Sequence, residues 1–249
     1  MEYKIIKLIQ ETKDTKTFRL KPVKGKVFDF KPGHFVILSA ELMVNGNLQI
    51  IKRAYSISSI PNNGSNNEYI DLTIKELPNG LMSKHVMTLK VGNTMDIAGP
   101  YGNFVYEDAM KDAVFISGGY AQMPFYSMIN YIFENKLDVE HGVKITKIIS
   151  ARTPEDVVFK YKFMELTKKH KNFRFFITYT KVEKNPEFGF VGRLDKDKLT
   201  AMIRNTNDNN INLKKKNYFV CGSSDFFEGI KKILIDMGVD PKKIKTQGY

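Results

Sequence analysis

The sequence has one cysteine, Cys221, in 249 residues. An internal disulfide is excluded, and so is an iron–sulfur cluster held by four cysteines of this chain. No C-x-x-C and no H-x-x-x-H spacing occurs, so no metal site is expected. Apolar runs fall far short of the ~20 residues that a membrane span needs. The first ten residues, MEYKIIKLIQ, carry neither an apolar signal core nor a cleavage pattern, which reads as a cytoplasmic protein. There is no internal repeat. Nor is there a concentrated stripe of Arg and Lys interleaved with aromatics, which argues against a basic, non-enzymatic nucleic-acid-binding protein.

Acidic residues are also in deficit, 27 against 39 basic ones, for a net charge of +12. Such a charge attracts nucleic acid, an anionic membrane or an acidic protein. Most of the basic residues are lysine in a chain rich in Asn and Ile, so compositional bias is the competing explanation. Hydrophobic residues make up 42% and aromatics 12%, enough for a real core and against global disorder. The length admits one large domain or two ordinary ones.

Two halves differ in pattern. Over 1–108, short β-rich runs such as YKIIKLIQET, TKTFRLKP, HFVILSAEL, LQIIKRAYSIS and YIDLTIKEL are separated by Gly and Pro, with one helical candidate, GLMSKHVMTL. This predicts a small antiparallel Greek-key barrel. Over 109–249, strands and helices alternate. AVFIS, VKITKIIS, FRFFITYT, YFVCG and KIKT read as five strands. In PFYSMINYIFENK, Phe125, Met128, Ile129, Ile132 and Phe133 recur at helical spacing. TPEDVVFKYKFMELTKKH predicts a helix capped by Thr153 with Pro154 at its first position. Alternation of this kind predicts a doubly wound, parallel five-stranded sheet whose ligands sit beyond the carboxyl ends of the strands, where Gly118-Gly119 and Cys221-Gly222 stand.

IIKRAYSISS, residues 50–59, raises the chemical question. Residues two apart on a strand share a face, so Arg53 and Tyr55 project together, with Ser56 beside them. A flavin nucleotide wants such a set: a guanidinium for its phosphate, a flat ring, and hydrogen-bonding groups for its ring nitrogens and oxygens. Read alone, the stretch also fits an ordinary strand with a surface arginine.

The order of the motifs resembles the ferredoxin–NADP⁺ reductase superfamily over nearly the whole chain. ETKDTKTFRLKP and FKPGHFVILSA resemble its opening strands, RAYSISS its flavin signature, GLMSKHV its pyrophosphate turn and VGNTMDIAGPYGNF its barrel closure. FISGGYAQMPF and YFVCGSSDFF stand at its two nicotinamide-side turns, SARTPEDVVF at its adenosine end, and KTQGY resembles its aromatic tail. The resemblance implies FAD and either NADPH or NADH as cofactors. It implies a flavin site made of Arg53, Ala54, Tyr55, Ser56, Lys75, Gly80, Leu81, Met82, Ser83 and Tyr249. Arg53 would pair with phosphate, Tyr55 would stack on the isoalloxazine, and Ser56 would hydrogen-bond near N5. Gly80, Met82 and Ser83 would offer N–H groups and a hydroxyl to the pyrophosphate. The nucleotide side would use Gly118, Gly119, Tyr120, Arg152, Cys221 and Gly222. Ser56, Cys221 and Tyr249 would stand closest to the chemistry.

Read without the resemblance, Ser83 is also a plain N-cap, Cys221 a buried small residue, Arg152 a solvated arginine and Tyr249 a frayed terminus. Two departures stand out, both on the nicotinamide side. The family loop G-G-T-G-x-x-P is GGYAQMP here, with Tyr120 and Ala121 where a small hydroxyl residue and a glycine are usual. CGSSDF lacks the usual proline and methionine. The implied activity is a flavoprotein reductase that passes hydride from NAD(P)H to FAD and then single electrons to an acidic carrier such as ferredoxin. The alternatives are an NAD(P)H:flavin reductase and the reductase component of an oxygenase.

Overall fold

The structure is a computed structural model that describes residues 1–61, 68–183, 186–204 and 213–248. The chain divides into two compact units. Met1–Tyr106 and Met123–Tyr131 form the first, and Glu107–Gln122 and Ile132–Tyr249 form the second.

The first unit is built on six antiparallel strands: β1 (Glu2–Thr12), β2 (Thr15–Pro22), β3 (Phe35–Val44), β4 (Asn47–Ser56), β5 (Ile70–Lys75) and β6 (Thr94–Tyr101). Their order is β4-β3-β6-β1-β2-β5. A bridge between Ile57 and Leu72 joins the chain just past β4 to β5, so the sheet curls back on itself. Alternation selects the interior. Phe18 and Leu20 on β2, Val36 and Leu38 on β3, and Ile70, Leu72 and Ile74 on β5 lie in one core. Helix α1 (Leu81–Thr88) adds Met82 and Val86 to it. Truncating one such side chain to Ala costs about 2–5 kcal/mol. Gly33 is forced by its surroundings. Its φ is +104°, and a Cβ there would fall 2.1 Å from the Phe104 carbonyl oxygen and 2.5 Å from Met128 Cε.

The second unit carries a six-stranded parallel sheet: β7 (Asp112–Gly118), β8 (Lys144–Ala151), β9 (Phe173–Tyr179), β10 (Phe190–Val191), β11 (Asn217–Gly222) and β12 (Ile244–Gly248), in the order β10-β9-β8-β7-β11-β12. The sequence predicted five strands. The sixth, β10, has only two residues at the sheet edge, too few for an alternating pattern to register. The helices are α2 (Met123–Glu134), whose first nine residues group with the first unit, then α3 (Leu137–Glu140), α4 (Lys160–Lys169), α5 (Lys196–Ile203) and α6 (Ser224–Asp236).

One predicted helix is corrected. The helix expected from Thr153 is a three-residue 3₁₀ turn, Pro154–Asp156, and α4 starts only at Lys160, after Phe159 in a left-handed conformation (φ 62°). Val157, Val158 and Phe159 are all buried. Three consecutive side chains cannot share one face of a helix, so the backbone leaves helical geometry to bury them. Among the described residues no helix is long and apolar enough to cross a membrane, and no cluster of His, Cys, Asp or Glu could hold a metal ion.

Candidate functional site

The two chemically suggestive regions lie one in each unit. In the first, β4 pairs with β3 so that Arg53 stands opposite Leu38 and Tyr55 opposite Val36. Arg53 and Tyr55 therefore share one side of the strand. Tyr55 is half-buried against the barrel core, while Arg53 is exposed. The guanidinium donates to the Lys52 carbonyl oxygen at 2.7 Å and makes no ion pair among the described residues. Ser56 is half-buried and stands opposite Phe35. The next hydroxyls of the stretch are structural. Ser58 Oγ, just past β4, lies 2.8 Å from Thr73 Oγ1 on β5, which lies 2.8 Å from Thr17 Oγ1 on β2, a buried chain of three hydroxyls. Ser59 Oγ accepts from the Asp71 N–H at 3.0 Å.

Helix α1 packs against β4. Gly80 is its N-cap in extended conformation, offers no side-chain cap, and is followed by a first turn without an acidic residue. The opening N–H groups of a helix have no intrahelical acceptor and carry the positive end of its dipole. Leu81, Met82 and Ser83 thus supply the donors that a phosphate needs. The Ser83 hydroxyl is already committed. It accepts from the Leu77 N–H at 3.0 Å and donates to the Gly80 carbonyl at 3.1 Å, so it braces the turn. A Cβ on Gly80 would stand 2.3 Å from Ser83 Oγ and 3.0 Å from Leu77 Cβ, so a larger residue here would displace the brace. Lys75 is also engaged, 2.6 Å from Asp14 Oδ2. Burial alone would raise the Asp14 pKa, but the Lys75 ammonium and the Thr12 and Thr15 hydroxyls outweigh it and hold the carboxyl below its usual value.

In the second unit, the strand order reverses between β7 and β11, where open α/β sheets bind ligands beyond the strand ends. Cys221 stands beside Ser117 in register, so Gly222 and Gly118 end neighbouring strands. The loop after β7 is internally bonded. The Gly119 N–H donates to the Ser150 carbonyl (2.8 Å), Ala121 to Gly118 (3.2 Å) and Gln122 to Tyr120 (2.8 Å). Only Gly119 takes a positive φ, 58°. Ala121 in place of glycine is therefore accommodated without strain. Tyr120 is half-exposed. Gln122 is fully buried. Its Nε2 donates to the Gly119 carbonyl at 2.9 Å, and its Oε1 has no partner among the described residues.

Cys221 is 3% exposed, and burial pushes its thiol up to about 12, with Lys147 partly opposing the shift. It is a neutral thiol at physiological pH, neither base nor ready nucleophile. Lys147, on β8, is completely buried, and burial holds its pKa well below the usual lysine value. Its Nζ donates to Ser117 Oγ at 2.6 Å. Arg152 is exposed just past the carboxyl end of β8. Tyr249 lies outside the described residues. Sequence reasoning missed Lys147, Gln122 and Phe226. Lys147 carried a signal: β8 is an interior strand of a parallel sheet, where both faces are covered and a lysine must be buried.

Residues 2–106 match the oxidoreductase FAD-binding domain family, and residues 115–232 match the oxidoreductase NAD-binding domain family. These are two-domain flavin- and nicotinamide-dependent oxidoreductases, and the chain belongs to their ferredoxin–NADP⁺ reductase-like superfamily. It is 31% identical over 248 residues to the glycine betaine monooxygenase reductase subunit of Chromohalobacter salexigens, covering 98% of this chain and 62% of that protein. It is 32% identical over 186 residues to NADH-cytochrome b5 reductase 2 of Ajellomyces capsulatus, covering 73% of this chain and 55% of that protein. Thus the chain spans about three fifths of the length of these curated relatives. A ferredoxin NADP⁺ reductase from Neisseria gonorrhoeae, solved with FAD and NADP, superposes with a TM-score of 0.80 at 22% identity, covering 100% of this chain and 98% of that one. At that identity the likeness speaks to fold.

FAD fits the first unit: an exposed guanidinium without a carboxylate partner among the described residues stands on the strand that packs against α1, a helix whose start no side chain caps. In the second unit the strand-end glycines suit a dinucleotide, but the side chain of Phe226 stands over them.

Proposed function

We propose that the chain is a flavoprotein reductase that takes a hydride from NAD(P)H and delivers single electrons to a separate carrier protein. Bound FAD would supply the conversion between two-electron and one-electron chemistry. The protein's part is to hold and orient. Arg53 would pair with a flavin phosphate through charge-assisted hydrogen bonds, and the first N–H groups of α1 would hold the pyrophosphate. Tyr55 would offer its ring to the isoalloxazine, and Ser56 a hydrogen bond at its edge. Gly118, Gly119, Gly222 and Arg152 would receive the dinucleotide. Cys221, a neutral thiol in this structure, would shape the crevice rather than move a proton. Ala54 and Lys75 belong to the wall of the flavin site, Lys75 through its tie to Asp14.

The observation that carries the reading is Arg53, a cation with no carboxylate partner among the described residues, on the strand that packs against α1, a helix whose N-terminus no side chain caps. The acceptor proposed is an acidic ferredoxin-type protein, favoured by the +12 charge and by a single cysteine, which leaves this chain without the thiolates for a four-cysteine cluster. A second reading, the reductase part of an oxygenase system, is favoured by the likeness to reductase subunits of monooxygenases. A cytoplasmic location, where a lone thiol stays reduced, belongs to the same proposal.

A visible spectrum of the purified protein, followed by anaerobic stopped-flow reduction with NADH and NADPH, tests it. A yellow protein bleached by either nucleotide supports the reading. A colourless protein that ignores added FAD sinks it.

A further inference from the structure

Phe226 is the third residue of α6. Side chains on a helix lean toward its N-terminus, so this ring leans back over the turn that leaves β11. It lands on two glycines at once. A Cβ on Gly222 would meet Phe226 Cδ1 at 2.5 Å, and a Cβ on Gly118 would meet three ring carbons between 2.7 and 2.9 Å. No atom larger than hydrogen fits between the ring and either glycine. Yet these glycines end β7 and β11, the strands that border the reversal of strand order. A ligand that uses their bare backbone and the ring of Phe226 cannot occupy the space together.

One of the two walls must give, and the structure distinguishes them. The loop after β7 is held by its own N–H groups and by the fully buried Gln122 amide on the Gly119 carbonyl. Phe226 is half-exposed in the first turn of its helix and packs against the core of the second unit, so rotation about χ1 carries its ring toward solvent at the cost of apolar contacts but without breaking a backbone hydrogen bond.

We propose that Phe226 gates the crevice between β7 and β11: its ring must leave Gly118 and Gly222 before a nicotinamide dinucleotide can lie against them. This rests on the dinucleotide reading above. Gating of this kind makes a conformational step, rather than hydride transfer, set the rate.

The test is anaerobic stopped-flow reduction of the flavin-loaded protein by NADH or NADPH, each with hydrogen or deuterium at the transferred C4 position. Wild type is expected to reach a plateau rate that is the same for both isotopes. Phe226→Ala should raise that plateau about tenfold, the effect of a barrier lowered by about 1.4 kcal/mol, and unmask the isotope effect. Phe226→Met, of similar bulk but flexible, should fall between them. Melting temperature and flavin content report whether each variant is folded. A full isotope effect in wild type, or variants that are unchanged or slower while folded and loaded, overturns the gate and leaves the dinucleotide reading intact. No reduction of wild type or either variant by either nucleotide overturns both.

Discussion

Lys147 Nζ lies 2.6 Å from Ser117 Oγ, and neither side chain has any exposed surface. Burial disfavours the ammonium, so the folded pKa falls well below that of an unfolded lysine. Between the depressed value and the unfolded one, the unfolded chain binds a proton that the folded protein does not. Stability therefore rises with pH across that window and is lost as pH falls. Lys147→Met removes this proton linkage. Its stability relative to wild type should fall as pH rises toward 8 through the range where the folded amine is neutral and the unfolded one charged. Cys221 titrates in the opposite sense only above the unfolded thiol pKa of about 8.5, outside this range. Urea denaturation of both proteins at several pH values measures the slope. A constant difference across pH would mean that the amine does not titrate in this window.

Arg53 gives a prediction on affinity. A hydrogen bond to a charged group contributes about 1.5–3 kcal/mol, so Arg53→Ala should weaken flavin binding roughly 10- to 150-fold. Arg53→Lys should recover part of the charge but not the planar fork. Flavin dissociation constants from fluorescence titration of the stripped protein decide the matter. Because Arg53 is exposed and makes no ion pair among the described residues, the melting temperature of the flavin-free protein should stay within about a degree or two of wild type, a surface substitution's usual range.

Ser83 separates a brace from a ligand. Its hydroxyl accepts from the Leu77 N–H and donates to the Gly80 carbonyl, and the residue is 4% exposed. Ser83→Ala leaves that N–H without its acceptor, which should cost about 1–3 kcal/mol of stability, the usual penalty for a buried donor left unpaired. The loss should appear in the flavin-free protein and be about the same size in the loaded one. A variant as stable as wild type when stripped, but poor at holding flavin, would return the hydroxyl to the pyrophosphate.

What the sequence revealed, and what it concealed, follows from the range of the interactions. The barrel and the parallel sheet were legible because alternation and strand–helix succession are local patterns, and burial of Val36, Leu38 and Leu72 enforces them. R-A-Y-S was legible because residues two apart on a strand must share a side. The break at Val157–Phe159 was not legible, since helical propensity and capping at Thr153 are local while the core that claims three successive side chains is not. Lys147 could be told from a surface lysine of a lysine-rich chain only once β8 was placed inside its sheet. That CGSSDF, which ends in Phe226, lacks the usual methionine could be noted from the sequence. That the Phe226 ring rests on Gly118, 108 positions away in sequence, needed the packing.

The net charge of +12 bears on the acceptor. Reduced flavin in a chain whose single cysteine cannot hold a four-cysteine cluster would meet a separate carrier by diffusion, and complementary charge raises that encounter rate. Exposed charges are screened over about 10 Å at 0.1 M salt and about 3 Å at 1 M. Reduction of an acidic ferredoxin should therefore slow steeply as ionic strength rises. Reduction of a small neutral acceptor by the same enzyme should not, since that encounter has no charge to screen. Flavin reduction by the nucleotide, a step within the protein once the nucleotide has bound, should plateau at the same rate throughout. Measured side by side across a salt series, a steep fall for ferredoxin alone supports docking through the lysine-rich surface. Parallel, shallow curves would leave the lysines as compositional bias and move the oxygenase-partner reading ahead of the ferredoxin one.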